Sequence, residues 1–283
     1  AHEAGAKPTY AFIAHDYKSF SEASYALWEA VADWQNLMQK KYGLLPLRST
    51  GGSTSTGFVY VLPGIVENEK QLWQMMCECI ARSGQEGKIG IQVDLAADCF
   101  YNKETRTYDN LFGPGKMDRD EVIAMVQDMA DKYSFISVED PLNENDYEGH
   151  ALLTKAVDIQ IVGDDLFTTN EERVAEGVKA GATNCVLLKV NQVGTITQAL
   201  EMVQFAYENG YGVMPCSSRG EGVEIADYSV GINAGTIRET GLGQGGNRFL
   251  EIEKELGSSA VFAGTRGLKG KRFQHPDKEV CHE

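Results

Sequence analysis

Three carboxylates and one lysine occupy equivalent places in four strand-like runs of this sequence. Asp94, Glu139 and Asp164 stand at the ends of three runs rich in β-branched and apolar residues, and Lys189 stands at the end of a fourth. A helix-like segment follows each run. In a parallel barrel, the carboxyl ends of all strands face one mouth. The pattern therefore predicts one site in which three carboxylates surround a divalent cation and an amine lies beside them.

The donor atoms of this predicted site are all oxygens, a set that suits Mg²⁺ better than zinc. One acid at a strand end could simply cap the next helix, but three on successive strands favour a metal. Asp165 directly follows Asp164, and neighbouring strand residues point to opposite faces. We therefore expect Asp164 to be a ligand, and Asp165 to lie behind it or to pair with Lys189.

Lys189 lies in an apolar run, where a lysine is costly unless it is paired or its pKa is lowered. Beside a metal and an apolar wall, we expect the pKa of Lys189 to fall, so that the amine becomes a general base. Such a base could remove the proton α to a carboxylate if the metal stabilises the enediolate. The alternative is a structural ion pair with Asp165.

Two loops near the C-terminal end contain candidate anion contacts. Arg219, within VMPCSSRGEG, could bind a phosphate or carboxylate with two parallel hydrogen bonds. Gly241 begins GLGQGG, which precedes a helix-like run, and free amides at a helix start attract anions. Glycine-rich turns are common, so this second signal is weak by itself.

The alternation of strand-like and helix-like runs predicts an α/β fold, a TIM-like (β/α)₈ barrel, over residues 1–265. Residues 100–120 predict an inserted hairpin, and residues 266–283 a polar, flexible tail. The predicted strands are 8–15, a mixed region near 58–62, 88–96, 135–141, 159–165, 185–190, 212–217 and 236–241. The predicted helices are 19–43, 67–84, 118–133, 146–157, 169–181, 195–210, 224–233 and 246–257.

The composition excludes several classes of function. A net charge of −15 over 283 residues argues against binding to nucleic acid or to anionic membranes. The 6 cysteines form no paired zinc motif, and several lie in apolar runs, as in a reducing compartment. We recognise no signal peptide and no apolar stretch long enough to span a bilayer, so we expect a cytoplasmic protein.

Several of these runs resemble the enolase family: SVEDP (137–141), IVGDDLFTTN (161–170), LLKVNQVGTITQAL (187–200), GKIGIQVDLAADCFY (87–101) and NRFLEIEKELG (247–257). The resemblance extends from about residue 10 to residue 257. It implies that Asp94, Glu139 and Asp164 bind Mg²⁺ and that Lys189 is the general base. A Lys or His base beside Mg²⁺ that stabilises an enediolate is the known pattern of the enolase superfamily.

The sequence departs from the family at four places. Thr50 stands where the family has the Glu of its Gly-Asp-Glu-Gly-Gly loop, and a second family Glu falls near Thr9. Ser218 and Arg219 lie in Ser-Ser-Arg-Gly, where the family has Ser-His-Arg-Ser, and Arg238-Glu239 replaces the Lys of an Ile-Lys-Thr-Gly run. The candidate substrate-binding positions are Arg219, Ser218, Asp165, Thr50 and Gly241.

The resemblance implies a Mg²⁺-dependent lyase that removes the α-proton of a small anionic carboxylate and eliminates a β-group. The first candidate reaction converts 2-phosphoglycerate to phosphoenolpyruvate. The changed acid side leaves three alternatives: an ammonia lyase of the methylaspartate type, a lyase for an acid sugar or phosphonate, and a non-catalytic metal-binding paralogue. His15, at the end of the first strand, is a candidate replacement acid or a rim histidine.

The resemblance also bears on assembly. The chain begins where the family's barrel begins, so we expect the N-terminal α+β cap domain to be absent from it. Family caps close over the substrate, so we expect a cap from another segment or a partner to be needed. A homo-oligomer is implied as well.

Overall fold

A central sheet with helices between its strands organises the protein. The structure is a computed structural model that describes residues 7–43, 58–59, 66–217 and 221–274. Among these residues the central sheet has seven strands: β1 (Thr9–Ala14), β2 (Phe58–Val59), β3 (Ile89–Asp94), β7 (Phe135–Glu139), β8 (Gln160–Gly163), β9 (Cys185–Leu188) and β10 (Gly212–Pro215). Across the sheet they lie in the order β10-β9-β8-β7-β3-β1-β2.

The strands from β3 to β10 in this sheet pair in parallel. Every residue of these strands is buried, which explains their nearly continuous apolar sequences. Crossover helices cover them, so the predicted alternation of strands and helices is confirmed. The helices are α1 (Phe20–Tyr42), α2 (Glu69–Arg82), α3 (Arg119–Lys132), α4 (Tyr147–Ala156), α5 (Glu171–Ala180), α6 (Val190–Val193), α7 (Ile196–Glu208), α8 (Glu224–Gly231) and α9 (Gly243–Leu256).

Local chemistry sets the helix ends. Ser19 accepts a hydrogen bond from the Glu22 amide at the start of α1, and Gly43 ends this helix in the left-handed conformation with φ 66°. Asp118 and Glu121 form a reciprocal capping box at the start of α3. With these capping residues, the two helices begin and end close to the positions that the sequence predicts.

Two features of the sheet differ from the predicted barrel. Strand β1 runs antiparallel to β3, with Thr9 opposite Asp94 and Ala14 opposite Ile89. Residues 236–241 form no strand, and only an isolated parallel bridge joins Cys216 to Arg238. The physical reason is that Glu239 has φ 70°, which breaks an extended backbone. In the described part of the chain the sheet ends at β2 and β10, so a closed eight-stranded barrel stays a prediction.

The insertion after β3 forms a small antiparallel sheet of β4 (Tyr101–Asn102), β5 (Thr107–Asp109) and β6 (Lys116–Met117). The prediction of a hairpin there is thus confirmed and extended by one strand. Tyr108 is buried, and its hydroxyl accepts a hydrogen bond of 2.9 Å from the Asn143 amide. The insertion therefore supports the loop that follows β7.

The first part of the predicted tail packs against the sheet. Leu268 is buried. Arg272 donates to the Asp158 carboxylate at 2.7 and 3.1 Å, and to the carbonyl oxygens of Ala130 and Phe135 at 3.0 and 3.2 Å. Residues 275–283 lie outside the described residues, and the division into barrel and tail stays a prediction.

We predict that Arg272→Ala lowers the free energy of unfolding by about 2 kcal/mol, because four hydrogen bonds to partly buried acceptors are lost. Arg266→Ala is the control, since Arg266 is exposed and makes a single 3.3 Å bond to the Phe262 carbonyl. Urea denaturation would measure both. Equal stability of the two variants would show that residues 266–274 do not dock as described.

Candidate metal centre

The four residues of the predicted site lie on neighbouring strand ends. Asp94 and Glu139 are the last residues of β3 and β7 and are partners in the parallel register. Asp164 directly follows β8, and Lys189 directly follows β9. All four side chains are buried. The structure thus brings them to one rim of the sheet, while their roles as ligands and base stay predictions.

Three cations from separate parts of the chain contact these carboxylates. Lys189 forms a buried ion pair with Asp164, and Lys7 bonds to Asp94. The Arg238 guanidinium donates to Glu139 at 2.7 Å and to Asp94 at 2.9 Å. Sequence reasoning missed the positions of Lys7 and Arg238. The only signal was the change of the family's lysine at the Arg238-Glu239 run.

Asp140 is a further carboxylate of the site that sequence reasoning missed. Its side chain accepts hydrogen bonds from the Asp164 and Asp165 amides at 2.9 and 2.8 Å. Strand alternation would turn Asp140 away from Glu139, but its backbone is left-handed, with φ 43°. The paired acids Glu139-Asp140 and Asp164-Asp165 at successive strand ends were the available signal.

The carboxylates form two groups that share Asp140. Within each group the oxygens lie within 4.8 Å of one another: Asp94, Glu139 and Asp140 in the first, and Asp140, Asp164 and Asp165 in the second. Glu139 Oε2 is buried and has no hydrogen-bond partner. An unpartnered buried carboxylate oxygen among other carboxylates fits a hard divalent cation such as Mg²⁺. Asp94, Glu139 and Asp140 could hold it. Asp164 belongs to the second group, so the set of Asp94, Glu139 and Asp164 stays a prediction.

One predicted alternative was an ion pair between Asp165 and Lys189, and Asp164 makes that ion pair instead. The ion pair of Lys189 is with Asp164, and Gln192 donates to the other Asp164 oxygen at 2.7 Å. The Asp165 backbone instead bonds to Asp140, and its side chain is half-buried.

The buried charges shift one another's pKa. Burial lowers the pKa of Lys189, but the adjacent Asp164 carboxylate outweighs it, and the net pKa is raised. The predicted fall in the pKa of Lys189 refers to an amine beside a bound metal, so it stays a prediction. Burial raises the pKa of Glu139 to about 8, although Arg238 opposes the shift. Burial and the Asp164 carboxylate raise the pKa of Asp140 to about 7.

His15 lies at the opposite end of the sheet from the carboxylates. Because β1 is antiparallel to β3, its last residues reach the start of β3, where the His15 amide donates to the Lys88 carbonyl at 2.9 Å. The His15 ring packs edge-on to Phe273. The hypothesis that His15 is a replacement acid at this site is therefore wrong. Thr9, at the other end of β1, accepts a 3.3 Å bond from Arg238.

The predicted substrate-side residues are only partly described. Thr50, Ser218 and Arg219 lie outside the described residues. The carbonyl of Gly241 accepts a 3.1 Å bond from Ser24 on α1, just before α9 begins. A Cβ at Gly241 would lie 2.7 Å from Leu27, so this glycine permits close packing of α1. A role of Gly241 in substrate binding stays a prediction.

Comparison with known proteins identifies the family of this chain. Residues 9–271 match the family described as "Enolase, C-terminal TIM barrel domain". The chain belongs to the enolase family. The resemblance inferred from the sequence is thereby confirmed.

Among its relatives are three archaeal proteins named enolase. The one from Methanococcus aeolicus is 39% identical over 200 residues, 68% of this chain and 47% of the relative. The one from Methanopyrus kandleri is 36% identical over 259 residues, 88% of this chain and 59% of the relative. The one from Methanocaldococcus jannaschii is 36% identical over 248 residues, 85% of this chain and 56% of the relative.

The chain thus spans about half to three fifths of the length of the curated enolases that it matches. Across residues 7–43, 58–59, 66–217 and 221–274, no helix has both the length and the apolarity needed to cross a membrane.

Gly163 gives Asp164 its place at the end of β8. A Cβ at Gly163 would lie 2.6 Å from the buried ring of Phe167. We predict that Gly163→Ala lowers the free energy of unfolding by about 1–3 kcal/mol, because the ring and the strand end must move apart. Gly231→Ala is the control, since a Cβ there meets nothing within 4 Å. Denaturation curves that are the same for both variants would contradict this packing.

The raised pKa values of Glu139 and Asp140 predict that, with a chelator present, stability falls as pH rises. The unfolded chain has pKa values near 4 for these groups, whereas the folded values are about 8 and about 7. At pH values between the unfolded and the folded pKa, the folded state binds more protons than the unfolded state does. Raising the pH therefore favours unfolding.

We expect the contribution of these two carboxyls to the free energy of unfolding to drop by more than about 1 kcal/mol between pH 5 and pH 8, since one pKa unit corresponds to about 1.4 kcal/mol. Burial lowers the pKa of His15 and His150, which contribute in the opposite direction, so the comparison with Glu139→Gln isolates the carboxyl. Glu139→Gln should flatten this dependence, and Glu104→Gln, at an exposed position, should not. Denaturation in buffers of constant ionic strength would measure it. A wild-type profile that Glu139→Gln leaves unchanged would contradict the buried, protonated carboxyl.

Proposed function

We propose that this chain is the catalytic barrel of a Mg²⁺-dependent lyase of the enolase superfamily. It would remove the α-proton of a small anionic carboxylate and then eliminate a β-group. The observation that supports this function best is the buried amine of Lys189 beside Asp164, at the rim that Asp94 and Glu139 share. Membership of the enolase family adds to this support.

Lys189 is suited to transfer a proton within a water-poor site. Its side chain is buried, and its backbone amide donates to Thr169 Oγ1 at 3.0 Å, which fixes the start of α6. The same hydroxyl donates to Gln192 at 2.6 Å, and Gln192 in turn holds Asp164. Base and carboxylate are therefore positioned by one short network of hydrogen bonds.

For Lys189 to accept a proton, its amine must first be neutral. The ion pair with Asp164 stabilises the ammonium form, so Asp164 must turn to another positive partner before Lys189 acts. A Mg²⁺ ion held by Asp94, Glu139 and Asp164 would supply that partner and stabilise the negative charge of the enediolate. Asp140 would keep the Asp164 backbone in place throughout.

The leaving group also requires a proton donor, and the family's usual donor is replaced in this chain. The family's acid-side Glu corresponds to Thr50, and His15 lies at the far end of the sheet. General acid catalysis contributes roughly 10²–10⁴-fold, so its loss would slow the expulsion of hydroxide. 2-Phosphoglycerate is the first substrate to test. An amino acid of the 3-methylaspartate type is the second, because ammonia needs less acid assistance than hydroxide.

A non-catalytic metal-binding paralogue is the competing function. A buried lysine at the carboxylate rim is costly without a role, which favours catalysis over this alternative. A cytoplasmic location, a homo-oligomeric assembly and closure of the site by a cap domain remain part of the proposal.

The decisive experiment measures exchange of the substrate α-proton with heavy water, followed by NMR, in the longest natural polypeptide that contains this chain. We expect exchange with 2-phosphoglycerate or 3-methylaspartate to require Mg²⁺. Lys189→Ala should reduce it at least about 100-fold, because the general base is removed. Lys179→Ala, at an exposed position of α5, is the matched control and should retain full exchange.

Product analysis in the same samples separates the substrates, since phosphoenolpyruvate and ammonia identify the two eliminations. If Lys189→Ala exchanged as fast as the wild type, the proposed base would be wrong. If Mg²⁺ bound but neither substrate exchanged its proton, the paralogue would be favoured.

A further inference from the structure

We propose that the guanidinium of Arg238 is a built-in competitor for the divalent cation, so that metal binding requires Arg238 to leave Asp94 and Glu139. This inference rests on the proposed function, because it concerns the same carboxylates. It adds a control step that the enolase-type chemistry by itself does not require.

The contacts of Arg238 place a positive charge on the oxygens that a metal would use. Nη1 lies 2.7 Å from Glu139 Oε1, and Nη2 lies 2.9 Å from Asp94 Oδ2. The side chains are 5, 0 and 2% exposed for Arg238, Glu139 and Asp94, so water does not screen these bonds. A cation that coordinated both oxygens would occupy the space of the guanidinium.

One carboxylate oxygen is left for an incoming cation. Glu139 is fully buried and its Oε2 has no hydrogen-bond partner, whereas Arg238 holds its Oε1. A buried carboxylate oxygen without a partner is costly and attracts any cation that can reach it. Glu139 would therefore offer Oε2 to a divalent cation while Arg238 is bound to Oε1, and both of its oxygens only after Arg238 is displaced.

Arg238 has another partner to retain when it moves. Nη2 also forms an ion pair with Glu239 Oε1 at 2.9 Å, and Glu239 belongs to neither carboxylate group of the site. The Arg238 backbone is fixed independently, because its amide donates to the Pro215 carbonyl at 2.9 Å. Side-chain rotation toward Glu239 would thus free Glu139 without moving the backbone, and it would leave Lys7 as the cation on Asp94.

Arginine differs from lysine in a way that matters here. The guanidinium stays protonated under all ordinary conditions and offers a planar set of donors that spans two carboxylates. It cannot be removed by losing a proton, so only competition or rotation clears the site. The protein consequently exchanges one cation for another, and its apparent affinity for Mg²⁺ is reduced by the population of the Arg238-bound state.

The test is Mg²⁺ titration by calorimetry and by thermal unfolding, with MgCl₂ as the only added ligand. We expect Arg238→Met to bind Mg²⁺ at least tenfold more tightly than the wild type, because the competitor is gone. Without Mg²⁺, the same variant should unfold at a lower temperature, because the carboxylates repel. Arg238→Lys retains the charge but not the planar donors, so its Mg²⁺ affinity should lie between those of the wild type and Arg238→Met. It replaces Arg238→Met in the test if that variant fails to fold.

Arg248→Met is the matched control. Arg248 also contacts three acidic side chains, Asp227, Glu251 and Glu255, but on the outer surface of α9. Its loss should change thermal stability and leave the Mg²⁺ affinity as in the wild type. Glu139→Gln should weaken binding in every background, which ties the heat signal to this site.

Two results would overturn the inference. Equal or weaker Mg²⁺ binding by Arg238→Met and Arg238→Lys, with Lys189-dependent proton exchange intact in the wild type, would reject the competitor and leave the proposed function standing. Absence of Mg²⁺ binding in the wild type and in both Arg238 variants would reject both, because the carboxylates would then not be a metal site.

Discussion

Mutual repulsion among buried carboxylates is the constraint on which this site depends. Oxygens of Asp94, Glu139 and Asp140 lie within 4.8 Å of one another, at which distance two like charges repel by roughly 3 kcal/mol for an effective dielectric constant of 20. Such a group is stable only if protons or cations reduce its charge. The protein uses both, since two of the carboxyl groups have raised pKa values and Lys7, Arg238 and Lys189 lie among them.

The sheet brings these opposing charges together from distant parts of the chain. Parallel pairing of β3, β7, β8 and β9 sets the acids and the lysine side by side, because each strand ends at the same rim. The antiparallel β1 adds Lys7 and Thr9 from its beginning. Asp140 then joins the ends of β7 and β8 through two backbone amides, so that these two strand ends are fixed relative to each other.

The parts that the sequence predicts well are those with a local cause. Asp94, Glu139, Asp164 and Lys189 end apolar runs, and strand polarity alone then brings them together. Ser19 and Gly43 delimit α1 through capping, which also depends on neighbours in the chain. Asp140 was missed because a left-handed backbone overrides strand alternation. Arg238 was missed as a partner of the acids because residues 236–241 form no strand, and an isolated bridge to Cys216 sets the position of Arg238. His15 was misplaced because β1 was assumed to be parallel.

The direction of β1 has a practical consequence for engineering. Thr9, its first residue, and Lys7, two residues earlier, adjoin Arg238 and Asp94, so a polypeptide joined directly to residue 7 would start beside the carboxylate site. The last described residues lie at the other end of the sheet, where Arg272 contacts Asp158 and Phe273 contacts His15. A fusion partner joined directly to residue 7 would therefore start beside the carboxylates, whereas one attached after residue 274 would start at the other end of the sheet.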